Sequence, residues 1–236
     1  MKILVIPDVH LKPFIFIRVA EHLKNNVADK AVCLMDIADD WNREMDLELY
    51  MRTYDEAIEF AKTFPDTLWC YGNHDICYLA DKRESGYSPC AAYTVVKKLT
   101  ELNESLPADN KIKYIHKIDN VVFCHGGLSD VFVKYYVNDD IYNDIDKVIE
   151  TINNMSMEEL WCDESPIWLR PQYDPYKMYK ENELLQVVGH TPVKEQYIDR
   201  NIISCDVFST YRSGKSIGNN KFVVIDTKTW KWSTIE

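Results

Sequence analysis

Four of the six histidines follow short apolar runs and carry a carboxylate, an amide or a glycine beside them. Asp8 and His10 follow KILVIP, and Asp36 and Asp39 follow KAVCLM. Gly72-Asn73-His74-Asp75 follows TLWCY, His125-Gly126-Gly127 follows NVVFC, and Gly189-His190-Thr191-Pro192 closes the run at 184–188. Imidazoles mixed with carboxylates and an amide oxygen, without a thiolate, suit Mn²⁺, Fe or Zn²⁺ better than a soft metal or a calcium cage. More than four candidate ligands imply two ions, roughly 3.5–4 Å apart in sites of this kind. Cations that close need a bridging carboxylate, and either aspartate after the second run, Asp36 or Asp39, is a candidate. One histidine after a strand is ordinarily structural; recurrence at five run ends carries the argument. His22 and His116 fall outside the pattern and are assigned to surface or core packing.

The elements that must hold these residues are readable from periodicity. The stretch TLWCYGNHDI (67–76) is a buried strand that stops at Gly72, and ligand sites of open α/β sheets lie outside the carboxyl ends of strands. Strands at 2–7, 30–35 and 67–71 alternate with helices at 14–26 and 44–64, the βαβ pattern of a parallel sheet. A helix at 89–102 precedes strands at 111–117 and 120–124. Residues 129–160 read as helical and charged, 166–175 as irregular between prolines, and 184–188 as a strand. The tail reads as strands at 202–207, 221–226 and 230–235, with Gly214 and Gly218 marking a turn. No composition shift suggests a linker, so one domain spans 1–236, with 139–182 as a helical cover over part of the site.

The chain has 236 residues, 46% hydrophobic and 28% charged, enough for a full core. No apolar run reaches the roughly 18 residues of a membrane span. The N-terminus lacks the apolar core and small-residue cleavage site of a signal peptide, which points to the cytoplasm. Seven cysteines without a CxxC pair read as buried reduced thiols rather than a disulfide framework or zinc site. A net charge of −11 disfavours duplex nucleic acid. It leaves room for a phosphorylated substrate, because acidic residues around divalent cations make a locally positive site.

The order DxH, DxxD, GNHD, HGG, GH resembles the calcineurin-like metallophosphoesterase superfamily. FCHGGLS (123–129) and VVGHTP (187–192) are most similar to its phosphoprotein phosphatase branch, which includes bacterial and phage phosphatases and symmetrical diadenosine tetraphosphate hydrolases. The resemblance implies an αββα sandwich of two mixed β-sheets with helices on both outer faces, the β-rich tail fitting the second sheet. It implies that Asp8 and His10 ligate one metal, most simply Mn²⁺, that Asp36 bridges both, and that Asn73, His125 and His190 complete the second. His74 would be the general acid, oriented by Asp39, and Arg170 would clamp the substrate phosphate. The implied reaction is in-line attack on phosphorus by hydroxide generated between the metals.

Departures from the pattern bear on the substrate. Met35 stands where the second motif has glycine, and Asp40-Trp41-Asn42 follows Asp39 where an arginine is expected, with Arg43 as a nearby substitute. GNHD rather than GNHE, followed by ICYL, leans towards dinucleoside polyphosphate hydrolases, whereas Thr191 in place of a second histidine argues against a nuclease. Three readings follow. The first is a phosphomonoesterase acting on phosphoproteins. The second is a hydrolase of nucleotide anhydrides or diesters, with Trp41, Tyr78, Trp168 and Tyr173 available to stack a base. The third, a catalytically silent binding scaffold, should have lost ligands, and this chain keeps all six together with His74.

Overall fold

Alternation along the first strand sets the layering. In β1 (Lys2–Ile6) the side chains of Ile3 and Val5 point to one face and those of Leu4 and Ile6 to the other, all buried. Both faces of this strand are therefore covered. In a computed structural model, which describes residues 1–173 and 176–236, two mixed five-stranded sheets pack face to face with helices outside each. β1, β2 (Lys30–Cys33) and β3 (Leu68–Trp69) run parallel. The second sheet is built on β4 (Ile115–Ile118), β5 (Val121–Cys124) and β6 (Leu185–Val188). The layer between the sheets is Ile3, Val5, Val32 and Leu34 against Phe123, Val187 and Ile203. Burying each such side chain contributes about 1.5–3 kcal/mol.

Helices α1 (Phe14–Lys24), α2 (Leu47–Thr63) and α4 (Ala92–Ser105) cover the first sheet. Each buries one stripe, as in Ile15, Phe16, Val19 and Leu23 of α1. Helices α5 (Asp130–Phe132) and α6 (Ile145–Asn153) cover the second. The expected helical stretch 129–160 is broken: α5 runs into a π-helical segment, Val133–Asn138, and a 3₁₀ turn, Asp139–Ile141, before α6 begins. Asn138 and Asp144 cause the breaks by bonding backbone N–H groups of Asp140 and Lys147 at 2.8 and 3.1 Å. α6 lies along β4, clipped by Asn153, whose amide nitrogen donates to the Ile115 carbonyl at 2.9 Å. Within 139–182, Arg170 is the described residue that lines the cleft; Asp174 and Pro175, at the end of the expected irregular stretch, lie outside the described residues.

The tail divides between the sheets rather than joining the second. β7 (Tyr197–Asp199), which periodicity missed, and β8 (Ile202–Ser204) extend the second sheet beside β6. β9 (Phe222–Asp226) and β10 (Trp232–Ile235) return to the first, β9 pairing antiparallel with β1. The free edge of β1 opposite β2 is what they satisfy. Among the described residues no helix is long and apolar enough to cross a membrane.

Candidate metal centre and catalytic cleft

Five strands deliver their carboxyl ends to one place. Asp8 and His10 follow β1, Asp36 and Asp39 follow β2, and Asn73 and His74 follow β3. From the second sheet His125 follows β5 and His190 follows β6. The turns are tight: His10, Leu11, Met35, Asp36, Asp39 and His190 all adopt left-handed backbone, with φ of 42, 55, 58, 42, 63 and 63°. Non-glycine residues there cost of order 1–3 kcal/mol each, and such outliers concentrate at functional sites. Asn73–Leu79 is a short helix, α3, that starts where the chain leaves Gly72, past the expected strand at 67–71. Asp75 makes it possible, since its carboxylate accepts the Gly72 N–H at 3.2 Å and the Ile37 N–H at 3.2 Å.

Two glycines make room for the carboxylates. A Cβ on Gly72 would lie 2.1 Å from Asp36 Oδ1, and one on Gly189 would lie 2.3 Å from Asp8 Oδ2. Backbone amides aim both acids: His74 N donates to Asp36 Oδ1 at 2.8 Å, and His190 N to the two oxygens of Asp8 at 2.7 and 3.0 Å.

The imidazoles are oriented by carbonyls. His10 Nδ1 donates to the Asp39 carbonyl at 2.8 Å, His125 Nδ1 to Leu34 at 2.9 Å, and His190 Nε2 to Trp168 at 3.0 Å. Each ring turns its other nitrogen away from that carbonyl, the orientation usual in metal-binding histidines. His125 Nε2 lies 3.1 Å from Asp36 Oδ2 and 3.0 Å from Asn73 Oδ1. His10 Nε2 is 3.9 Å from Asp36 Oδ2, and ligand atoms of Asp36, His125 and His190 lie within 4.8 Å of one another. Asp36, His125 and His190 thus converge, with Asn73 against His125, His10 facing Asp36, and Asp8 on the backbone of His190.

The electrostatics fit divalent cations. Asp8 and Asp206 are both buried, and burial followed by their mutual repulsion pushes Asp8 well above the usual carboxylate range. Burial also pushes Asp206 up. Burial opposes ionisation of Asp36, but the charges of His125 and His74 hold it well below. Burial opposes protonation of His125, yet the charges of Asp36 and Asp8 raise it to about 9. Burial, with His125 and Arg170 adjacent, drives His190 the other way. A cluster of buried acids and carbonyl-oriented imidazoles converging on one space is a donor set suited to borderline cations.

His74 is held differently. Its Nδ1 meets Asp39 Oδ2 at 2.9 Å, while Asp39 Oδ1 accepts the hydroxyls of Tyr50 at 2.7 Å and Tyr78 at 2.5 Å. Burial lowers its proton affinity, but the Asp36 charge and the Asp39 hydrogen bond prevail and lift it to about 9. Nε2 is left for the cleft, a cavity of about 350 Å³ that His74 lines with His10, Asp36, Asn73, Arg170 and His190.

Arg170 Nη1 donates to the His190 carbonyl at 2.6 Å. Arg43 is not brought in: it is exposed, its Nη1 lies 3.6 Å from Asp46, and it is not among the residues lining the cleft. Of the aromatics, Trp41 lines the cleft, Tyr78 serves Asp39 and Trp168 packs on Trp161. Asp206, Tyr50 and Arg212 escaped the sequence reading. Asp206 does follow a strand, β8, but a strand drawn to 207 swallowed it. Tyr50 sits inside α2 with nothing to distinguish it from core.

Residues 1–218 match the family model of calcineurin-like phosphoesterases. No curated protein matches the chain. Among solved structures it is similar to a cold-active protein tyrosine phosphatase determined at 1.1 Å (17% identity over all of this chain and 78% of that one, TM-score 0.56). It is also similar to the cold-active protein-tyrosine phosphatase of a psychrophilic Shewanella species (17%, all of this chain and 80% of that one, 0.52). A hypothetical protein from Pyrococcus horikoshii OT3 is a further likeness (14%, all of this chain and 87% of that one, 0.52). At such identities the likeness is one of fold. The match over most of the chain is decisive: it belongs to the calcineurin-like phosphoesterases, metal-dependent hydrolases of phosphate esters.

Proposed function

We propose that the chain is a phosphomonoesterase of the phosphoprotein phosphatase kind, acting on phosphorylated side chains of proteins. The observation that carries this is the His74–Asp39 pair, 2.9 Å apart, facing the same cleft as the ligand cluster and Arg170. In this reading Asp8 and His10 would hold one Mn²⁺ ion, Asn73, His125 and His190 would hold a second, and Asp36 would serve both. When bound, such ions supply Lewis acidity, lowering the pKa of water and offsetting charge on phosphoryl oxygens. As hydroxide adds to phosphorus and the ester bond opposite breaks, His74, protonated and gripped by Asp39, gives its Nε2 proton to the departing alkoxide. Arg170 has one nitrogen fixed by the His190 carbonyl, which aims the rest of its guanidinium at a phosphoryl group.

The test is hydrolysis by the metal-stripped protein with Mn²⁺ restored. p-Nitrophenyl phosphate, bis-p-nitrophenyl phosphate, a phosphoserine peptide and diadenosine tetraphosphate are compared, with His74→Asn as control. Metal-dependent turnover of the monoester and peptide is expected, and His74→Asn should cost about 10²–10⁴ in kcat while binding metal normally. Turnover confined to the diester or dinucleotide would move the assignment to nucleotide hydrolysis. No turnover with metal bound would favour a silent scaffold.

A further inference from the structure

Among the described residues lining the cleft, Arg170 is joined by a second guanidinium, that of Arg212. Arg212 reaches the cleft on a hairpin from the second sheet's side, in which Thr210 pairs with Ser216 and Tyr211 N donates to the Lys215 carbonyl at 2.9 Å. Gly214, at φ 78°, makes the turn. The loop after Asp39 ties this hairpin down at three points. Asp40 Oδ1 accepts the Thr210 hydroxyl at 2.6 Å, Asn42 Nδ2 donates to the Arg212 carbonyl at 2.8 Å, and the Arg212 guanidinium lies 4.7 Å over the Trp41 ring. Asp40 is in turn fixed by Lys12 at 3.0 Å.

Arg212 itself has no carboxylate partner among the described residues, although Asp36, Asp39, Asp40 and Asp206 line the same cleft. Its side chain is exposed, yet stacking on Trp41 restricts where the fork can point, and a guanidinium keeps its donors free while it stacks. The Arg212 guanidinium thus keeps its donors available to an anion entering the cleft that it lines.

We propose that Arg212, delivered by the 209–217 hairpin and steadied by Trp41, Asn42 and Asp40, is a specificity-determining residue that grips the substrate's phosphate opposite Arg170 and favours a dianionic terminal phosphate over a diester. This rests on the phosphoesterase reading above. A monoester dianion presents three unsubstituted oxygens and two charges, whereas a diester presents two oxygens and one charge. Removing a fork donor therefore penalises the monoester more.

Arg212→Ala and Arg212→Lys test this in the Mn²⁺-loaded protein. Inorganic phosphate is titrated calorimetrically, and KM and kcat are measured for p-nitrophenyl phosphate and its bis ester. For Arg212→Ala, the phosphate Kd and the monoester KM should rise about tenfold or more, and the diester KM by less than about threefold. Metal content and the unfolding midpoint should stay unchanged, and Arg212→Lys should fall between. Phosphate affinity and monoester KM within about twofold of the parent, or equal losses on both esters, would overturn the proposal. If the parent protein hydrolyses neither ester, the phosphomonoesterase reading fails on its own account. The phosphate titration then still decides the role of Arg212, since equal affinity in parent and variant would reject it.

Discussion

Gly189→Ala isolates the packing behind the metal centre. Gly189 has ordinary backbone geometry, so alanine adds one methyl group and no torsional strain. That methyl would meet Asp8 Oδ2 at 2.3 Å, Oδ1 at 2.5 Å and Cγ at 3.0 Å. Asp8 is fully buried and short, so its carboxylate must retreat by about an ångström to regain van der Waals distance. The retreat stretches its bonds from the His190 N–H, now at 2.7 and 3.0 Å, and weakening a charge-assisted bond in a buried setting costs about 1–3 kcal/mol. It also moves a predicted ligand off its cation. Disturbing a ligand's support ordinarily costs about 10–100-fold in metal affinity. We expect Gly189→Ala to bind its first Mn²⁺ that much more weakly, measured by competition with a fluorescent chelator, and to lose about 100-fold in kcat. Gly214→Ala is the comparison: its methyl would meet nothing within 4 Å, and its φ of 78° confines the cost to stability. Equal metal affinity in the two variants would refute the argument that Asp8 is clamped between Gly189 and a cation.

The carboxylate behind His74 offers a second test. Tyr50→Phe and Tyr78→Phe each leave Asp39 Oδ1 one phenol, whereas the double variant leaves a buried acceptor with none. Each single change should lower kcat a few-fold, and the pair should lose more than the product of the two, about tenfold or beyond, with metal content intact; simple multiplicativity would count against it. A third concerns His116, away from the site, buried in β4 with Nε2 donating to the Trp69 carbonyl at 3.0 Å. Burial, with Lys113 and Lys30 nearby, lowers its pKa to about 4. The unfolded chain binds this proton first as pH falls, so stability is full above about pH 6.5 and lost towards pH 4, by up to about 3 kcal/mol. Urea unfolding at pH 7 and 4.5 should therefore find His116→Gln less acid-sensitive than the parent, and parallel losses would rule the group out.

The convergence of the candidate residues was legible because chemistry and periodicity coincide there. A buried strand announces itself by its apolar run, and Asp8, His10, Asn73, His125 and His190 come immediately after one. What was illegible depends on partners far along the chain. Asp40 reads as the loss of an expected arginine, yet in space it anchors Thr210 and with it the hairpin bearing Arg212. Tyr50 is indistinguishable from the core positions of α2 until Asp39 is seen beneath it. The return of β9 and β10 to the first sheet follows from an open strand edge, which no local pattern encodes. Met35 shows the same limit. Its φ of 58° is one that glycine would adopt freely, but its side chain is wholly buried in the helix-side core. Burial worth about 1.5–3 kcal/mol offsets left-handed strain of about 1–3 kcal/mol.

The position of β1 has a consequence for how the molecule comes into being. The strand carrying Asp8 and His10 lies between β2 and β9, so one of its edges stays open until residues 222–226 arrive. During synthesis Asp8 and His10 leave the ribosome long before the strand that closes the edge of β1, and β6, which brings His190, also comes late. Local helices form early, but the centre closes only near the end, through contacts spanning most of the chain, a topology that folds slowly. A chain cut short before β9 would present an apolar strand edge open to pairing with other chains.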